Sequence, residues 1–415
     1  MKEKLLKKIE IIAPADRDAM VRAKAREDSL AKPPGSLGGL EDMAIRLAGI
    51  FGWDPDGTKD SPRDVNLDRD CVLVFCADNG VAEQGVSSAP QSVTRAQTMN
   101  FTRRLTGVGA LAESFGSELL IVDVGVKDPI PPELYDDVPL RDTHKIMDRR
   151  IGPGTRDISQ GPAMTSREAL SAMLAGVEMA EAAAEAGYGI IGIGEMGIGN
   201  TTTSAAVLSA LTGEGSEITC GRGGGINDES FEIKHRIIDS CSEEWRREGG
   251  LLRQFNACGE RHRIGEDSGT SSPEAGPSPG RRVEAVIDVL ARCGGFDICA
   301  MTGAYLGAAA SGIPVVIDGY ISAVAALAAA VIEPKTVDYM FASHKSFEPG
   351  YDLAMEKLGL RPFLDLDMRL GEGSGCPIAF AVIRGAWDLF VKMGTFREAE
   401  IDDDYLEEIR AGGCF

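Results

Sequence analysis

Glu372 is the most chemically suggestive carboxylate of the chain, lying within Leu366-Asp367-Met368-Arg369-Leu370-Gly371-Glu372-Gly373-Ser374-Gly375. Its glycine neighbours supply little side-chain cover and leave the backbone flexible enough to point the carboxyl into a cleft. Burial there would raise its basicity and suit it to proton abstraction. The same residues also describe a structural turn.

The densest glycine cluster is Gly192-Ile193-Gly194-Glu195-Met196-Gly197-Ile198-Gly199-Asn200-Thr201-Thr202-Thr203. It follows an apolar strand pattern and opens onto a helical one. Small residues there let the backbone approach a ligand, and free amides at a helix start can hold phosphate. No convincing acid at the end of the next strand claims an adenosine ribose and no G-x-x-x-x-G-K-[ST] occurs, so dinucleotide and ATP chemistry are disfavoured. A second cluster, Gly221-Arg222-Gly223-Gly224-Gly225, is followed by Asp228 and Lys234. Arg222 or Lys234 could complement an anion; alternatively, the segment is a tight turn with one salt bridge in solvent. Gly152-Pro153-Gly154-Thr155 is a weaker third candidate. His144, His235, His262 and His344 form no H-x-x-x-H pair, so no metal site is indicated, although His344 in Ser343-His344-Lys345-Ser346 could join ligand contacts. No G-x-S-x-G elbow supports Ser-His-Asp catalysis.

These residues need a frame, and the apolar runs supply one. CVLVFCA at 71–77 is apolar on both faces, as the central strand of a parallel sheet must be. ELLIVDVGV at 118–126, YGIIGIG at 188–194 and IPVVIDGY at 313–320 repeat the pattern, each ending near Gly or Asp. Helical patterns alternate with them, including SREALSAMLAGVEMAEAAAEAG before Tyr188 and TTSAAVLSALTG after it. This alternation predicts an α/β protein with ligands beyond the carboxyl ends of its strands. Residues 1–50 read as helical, broken at Lys32-Pro33-Pro34-Gly35-Ser36, and Gly52 to Asp70 reads as a surface loop. Residues 264–280 offer almost nothing to a core, which places a flexible surface insertion within 255–283.

At roughly 150 residues per domain, a chain of 415 residues makes one large or two moderate domains. With 43 Lys and Arg against 64 Asp and Glu, the net charge is −21, which argues against nucleic acid or an anionic membrane as partner. The longest small and apolar run, Ile321 to Ile332, is too short for a bilayer and reads as a buried helix. Nine cysteines without a C-x-x-C pair, and an amphipathic MKEKLLKKIEII start in place of a secretory pattern, predict a reduced cytoplasmic protein.

Taken in order, KPPGSLGGLE (32–41), ADNGVAEQGVSSAP (77–90), GPAMT (161–165), GIGEMGIGNTTT (192–203), GRGGG (221–225), PVVIDGY (314–320), SHKSFEPG (343–350) and RLGEGSG (369–375) span nearly the whole chain. Together they resemble the nicotinate-nucleotide:dimethylbenzimidazole phosphoribosyltransferase family of cobamide lower-ligand assembly. The resemblance implies a three-layer, Rossmann-like α/β core around a parallel sheet, with a smaller helical domain built from terminal segments. Residues 1–50 would form its N-terminal part, 51–350 the core, and 351–415 the Glu372 loop and closing helices. It also implies a homodimer with no cofactor and no metal.

The implied reaction moves phosphoribose from nicotinate mononucleotide to a base, normally 5,6-dimethylbenzimidazole, giving nicotinate and α-ribazole 5′-phosphate. By resemblance Glu372 is the general base and Glu195 supports it. Gly197, Gly199, Asn200, Thr201, Gly223 and Lys234 would hold phosphate or ribose. Ser346 and Arg369 would lie on the nicotinate or phosphate side, and Ser88 and Gln97 would line the acceptor pocket. Three positions depart from the family pattern: Asn79 replaces a common histidine, Ala89 an aromatic residue and Gly224 a threonine. They bear on the choice of acceptor more than on proton removal.

Overall fold

The structure, a computed structural model, describes residues 1–54, 66–136, 140, 142–255, 277–402 and 406. Among the described residues seven strands form one sheet: β1 (Asp70–Ala77), β2 (Glu118–Gly125), β3 (Tyr135–Asp136), β4 (Ile146–Asp148), β5 (Ile190–Met196), β6 (Val315–Ile317) and β7 (Met340–Ala342). Their spatial order is β3-β4-β2-β1-β5-β6-β7, and every neighbouring pair is parallel. All eight residues of β1 are buried, as its unbroken apolar run requires. Val74 of β1 pairs with Ile121 on one side and Gly194 on the other. The chain builds first to one side of β1 and returns on the other with β5, so the crevice between these strands opens at their carboxyl ends.

Helices flank the sheet. Phe296–Ser311 lies along β1, β2 and β5 and packs on Ser166–Glu185. The two helices meet at backbone distance: a Cβ on Gly307 would lie 2.8 Å from the Val177 carbonyl, and one on Gly176 or Gly303 would run into the facing backbone. Ser166–Glu185 starts where Thr165 and Glu168 cap each other's backbone N–H groups. Cys376–Lys392 covers β1, β5 and β6, with Gly192 making room for Cys376. Arg17–Ser29 and Gly39–Phe51 pack with this closing helix region. Trp53 meets Phe390 edge-on at 4.9 Å, and Arg26 Nε donates to the Phe390 carbonyl at 2.8 Å. One hydrophobic cluster runs from Leu5 to Phe390. Tyr320–Ile332 is a buried helix, apolar on all sides.

The long strands fall where their apolar runs predict, but IPVVIDGY yields only the three residues of β6. β3, β4 and β7 are two or three residues long and carry no pattern that marks them in the sequence. Residues 256–276 of the expected 255–283 insertion lie outside the described residues, as do 55–65 of the Gly52–Asp70 loop. The insertion boundary needs correction, because Pro279 to Val283 begin the helix Pro279–Cys293, with proline in its first turn. Among the described residues no helix is long and apolar enough to cross a membrane. The described cysteines are free and buried, while Cys258 and Cys414 lie outside the described residues.

Candidate active site

A cavity of about 330 Å³ opens beyond the carboxyl ends of β5, β6 and β7. Its walls include Glu195 near the end of β5, Gly197, Gly199, Asn200 and Thr201 after it, Gly223 from the second glycine loop, and Ser346 after β7. Ser88 and Gln97, from the segment after β1, and Arg369 and Glu372, before the closing helix, complete it. Lys234 stands just behind this wall. Its Nζ, fully buried, donates to Thr201 Oγ1 at 3.0 Å and to the Gly221 carbonyl at 2.9 Å. The predicted set is thus brought together from six separate stretches of sequence.

The two readings of GRGGG separate cleanly. Arg222 makes the solvent salt bridge, its Nη2 2.6 Å from the exposed Asp228, and does not line the cavity. Lys234 faces inward instead, and burial pulls its amine below the ordinary lysine range. Glu348 also lines this part of the cavity; desolvation raises its carboxyl, opposed by the Lys234 charge and the Gly223 N–H. Gly199 adopts φ +94° immediately before the helix Asn200–Thr212, whose N-terminus therefore faces the cavity without a side-chain cap. Gly154 and Thr155 only brace the Asp78 turn and do not line the cavity.

Glu372 is neither exposed nor loosely held, which corrects the expectation of flexibility. It is 5% exposed, and residues 371, 372 and 373 all have positive φ, at +85°, +64° and +85°. The flanking glycines fix a left-handed path. Gly194 of β5 is needed for the loop to cross, since a Cβ there would lie 2.5 Å from the Glu372 carbonyl. The carboxylate accepts from Gln97 Nε2 and from the Val108 N–H, each at 3.2 Å. Val108 lies in the first turn of the helix Gly107–Phe115, so that helix directs its positive end at Glu372. Desolvation raises the Glu372 carboxyl above the ordinary range; the Val108 and Gly107 N–H groups and Gln97 hold it back.

Glu195 is more strongly perturbed. Burial, with the nearby charges of Asp297 and Asp318, pushes it up to about 8, while Asn200, hydrogen-bonded to its Oε2, works the other way. That shift favours the protonated form of Glu195 near neutrality. Asp297, raised by burial to about 6, lies beneath the Gly197 turn. Asn79 sits there too, with its Nδ2 3.4 Å from Asp297 Oδ2 and its side-chain carbonyl oxygen accepting from Thr203. It does not line the cavity, whereas Ala89 and Gly224 do, and Ser88 Oγ donates to the Gly224 carbonyl at 3.3 Å.

Asp318, Asp297 and Glu348 were not singled out from the sequence; Asp318 had a visible signal as the acid closing an apolar strand run. His344 lines the cavity, while His144 and His235 bond to Thr102 and Ser216 away from it. His262 lies outside the described residues. Among the described residues, no group of three or more His, Cys, Asp or Glu side chains is arranged to hold a metal ion.

The phosphoribosyltransferase family model matches residues 12–254 and 275–401. A nicotinate-nucleotide–dimethylbenzimidazole phosphoribosyltransferase of Clostridium perfringens is 46% identical over 400 residues, covering 96% of each chain. The chain belongs to the nicotinate-nucleotide:dimethylbenzimidazole phosphoribosyltransferase family. A family member named likewise in Acetivibrio thermocellus is 39% identical over 386 residues, covering 93% of this chain and 95% of its own. The crystal structure of CobT from Thermus thermophilus superimposes with a TM-score of 0.76 at 34% identity, covering 93% of this chain and 99% of that one. The family relationship therefore covers the sheet and the cavity alike.

Proposed function

We propose that the protein transfers phosphoribose from nicotinate mononucleotide to 5,6-dimethylbenzimidazole or a related lower-ligand base, releasing nicotinate and α-ribazole 5′-phosphate, with Glu372 as general base. The observation that carries this reading is a buried, basic carboxylate sharing one cavity with two glycine loops and a helix N-terminus backed by Lys234. Phosphate is held at Gly197, Gly199, Thr201 and Gly223, near the Lys234 charge, and Asn200 with Glu195 faces the ribose. Ser346 and Arg369 serve the nicotinate side. The acceptor lies against Ser88, Ala89 and Gln97, and Gln97 also steadies Glu372.

One ring nitrogen of the acceptor attacks the anomeric carbon as the C–N bond to nicotinate breaks, and the bonding pair returns to the pyridinium nitrogen. The acceptor's other ring nitrogen gives its proton to Glu372. Attack opposite the leaving group turns the β nucleotide into an α product. The donor is already activated by its positive nitrogen, so the residues contribute placement and proton removal. The family relationship supports a homodimer, and the exposed Leu105, Leu366, Leu370 and Phe347 provide apolar surface for one. The charge of −21 agrees with small-molecule partners and with no nucleic acid.

Ala89 and Gly224 favour a second acceptor reading, because both leave room where the family commonly carries larger side chains. A panel of acceptors with nicotinate mononucleotide tests both, scoring nicotinate release and product mass at subsaturating acceptor. Ribosylated dimethylbenzimidazole is expected. Product from adenine or a phenol but from no benzimidazole would reject the acceptor class and leave phosphoribosyl transfer standing. No product from any acceptor, with the donor bound, would reject the transferase reading.

A further inference from the structure

We propose that Asp318 is the positioning residue that anchors the 371–375 loop, left-handed at 371–373, and thereby aims Glu372 at the acceptor. This rests on the general-base reading of Glu372 and adds a residue to it. Asp318 directly follows β6, so a three-residue strand anchored between β5 and β7 sets its place. Its Oδ2 accepts from the Gly373 N–H at 3.0 Å and its Oδ1 from the Gly375 N–H at 2.7 Å. Both oxygens of one buried carboxylate are thus committed to two N–H groups that flank Ser374 and come directly after Glu372. Successive inward N–H groups on a left-handed path form a concavity suited to an anion, and here the anion is part of the protein.

That anchor bears on a strained stretch of backbone. A non-glycine residue at φ +64° is held only where its surroundings over-determine it, and Glu372 has such a φ between two further left-handed residues. Gln97 and Val108 hold the Glu372 side chain and Glu195 meets its backbone N–H, while Gly373 lies against Val72, Gly194 against the Glu372 carbonyl, and Gly375 against His344. The Asp318 bonds add a grip on the loop backbone on both sides of Ser374. The charged and titratable groups around Asp318 are His344, whose Nδ1 is 3.8 Å from Oδ1, with Glu195 and Glu372 sharing its field and Cys376, Tyr305 and Tyr351 nearby. Ser343 Oγ lies 3.0 Å from His344 Nδ1 and donates to the Asp318 carbonyl, so the histidine is itself held.

The test compares Asp318→Asn and Asp318→Glu with the wild type in single-turnover transfer, nicotinate mononucleotide binding, thermal unfolding and pH–rate profiles. Asn keeps the volume but turns one acceptor into a donor facing an N–H. The expected result is a fall of about tenfold or more in single-turnover rate with donor affinity within about twofold. Removing a negative charge close to Glu372 should also move the acidic limb of the profile to lower pH. Asp318→Glu keeps the charge but displaces the loop, so its rate should fall with the limb unmoved. If only one variant folds, its rate and profile decide. A folded variant retaining the wild-type single-turnover rate would overturn the proposal, as would activity lost only in step with donor binding and folding, or failure of both variants to fold. Near-wild-type transfer by Glu372→Gln would instead overturn the general-base reading, whatever the Asp318 variants do.

Discussion

Replacing Glu372 by Gln separates chemistry from folding in a way the structure makes quantitative. The contacts of the carboxylate are all donors: the Val108 and Gly107 N–H groups and Gln97 Nε2. None can accept the acceptor's proton, and Glu195, at about 8, already holds one near neutrality. General-base removal is worth about 10²–10⁴ in rate, and with no neighbour to substitute we expect about 10³ or more, near 4 kcal/mol of barrier. Folding should not suffer. Because burial raises the folded-state affinity of Glu372 for its proton, its favourable contribution to stability is present below the unfolded pKa and lost as pH rises through the folded value. Above that window the ionised side chain weighs against the native state, whereas a neutral Gln does not. The variant should therefore unfold at the same temperature as the wild type or higher at pH 8, with its advantage shrinking toward pH 4. Rapid-quench single turnovers with dimethylbenzimidazole, donor titration calorimetry and thermal unfolding at the two pH values measure all three quantities. A folded Glu372→Gln protein that transfers within about fivefold of wild type would refute the reasoning.

The pH–rate profile of transfer should be bell-shaped, rising as Glu372 ionises and falling through about 8 as Glu195 loses its proton; Glu195→Gln should abolish the alkaline fall, and a wild-type profile flat from pH 6 to 9 would argue against the split roles. Lys234→Met removes the buried cation behind Thr201 and should raise KM for nicotinate mononucleotide by about tenfold or more, roughly one charge-assisted hydrogen bond, with kcat changed less; initial-rate kinetics check it. Gly194→Ala places a methyl 2.5 Å from the Glu372 carbonyl and should lower kcat more than donor affinity, because β5 cannot yield and the loop must; single turnovers and donor calorimetry separate the two.

The central strands were legible because β1, β2 and β5 carry their signal in their own residues: unbroken apolar runs that only a two-sided burial explains. β3, β4 and β7 have no such signal, since two or three residues become strand through the edge they are offered. The site divides along the same line. Gly197, Gly199 and Gly223 declare themselves by composition. Asp318 shows in the sequence only as an acid closing an apolar run, because its partners Gly373 and Gly375 lie some fifty-five residues further along the chain. Turn and base looked like alternatives for Glu372 in the sequence, yet one residue can be both: φ +64° makes it a turn residue, and the carboxylate at the cavity makes it a candidate base.

The helix Gly107–Phe115 gives Glu372 a second property, which matters once the transfer is complete. On the proposed reading each turnover leaves a proton on a carboxyl that accepts the Val108 N–H at the helix's positive end. While protonated, that carboxyl no longer complements the helix, a mismatch of about 0.3–1 kcal/mol that disappears once the proton departs. Burial makes the group willing to take the proton, and the helix end makes it willing to give it up. On that reading the helix end offsets part of the burial effect and eases the return of Glu372 to the charged form that the next acceptor requires.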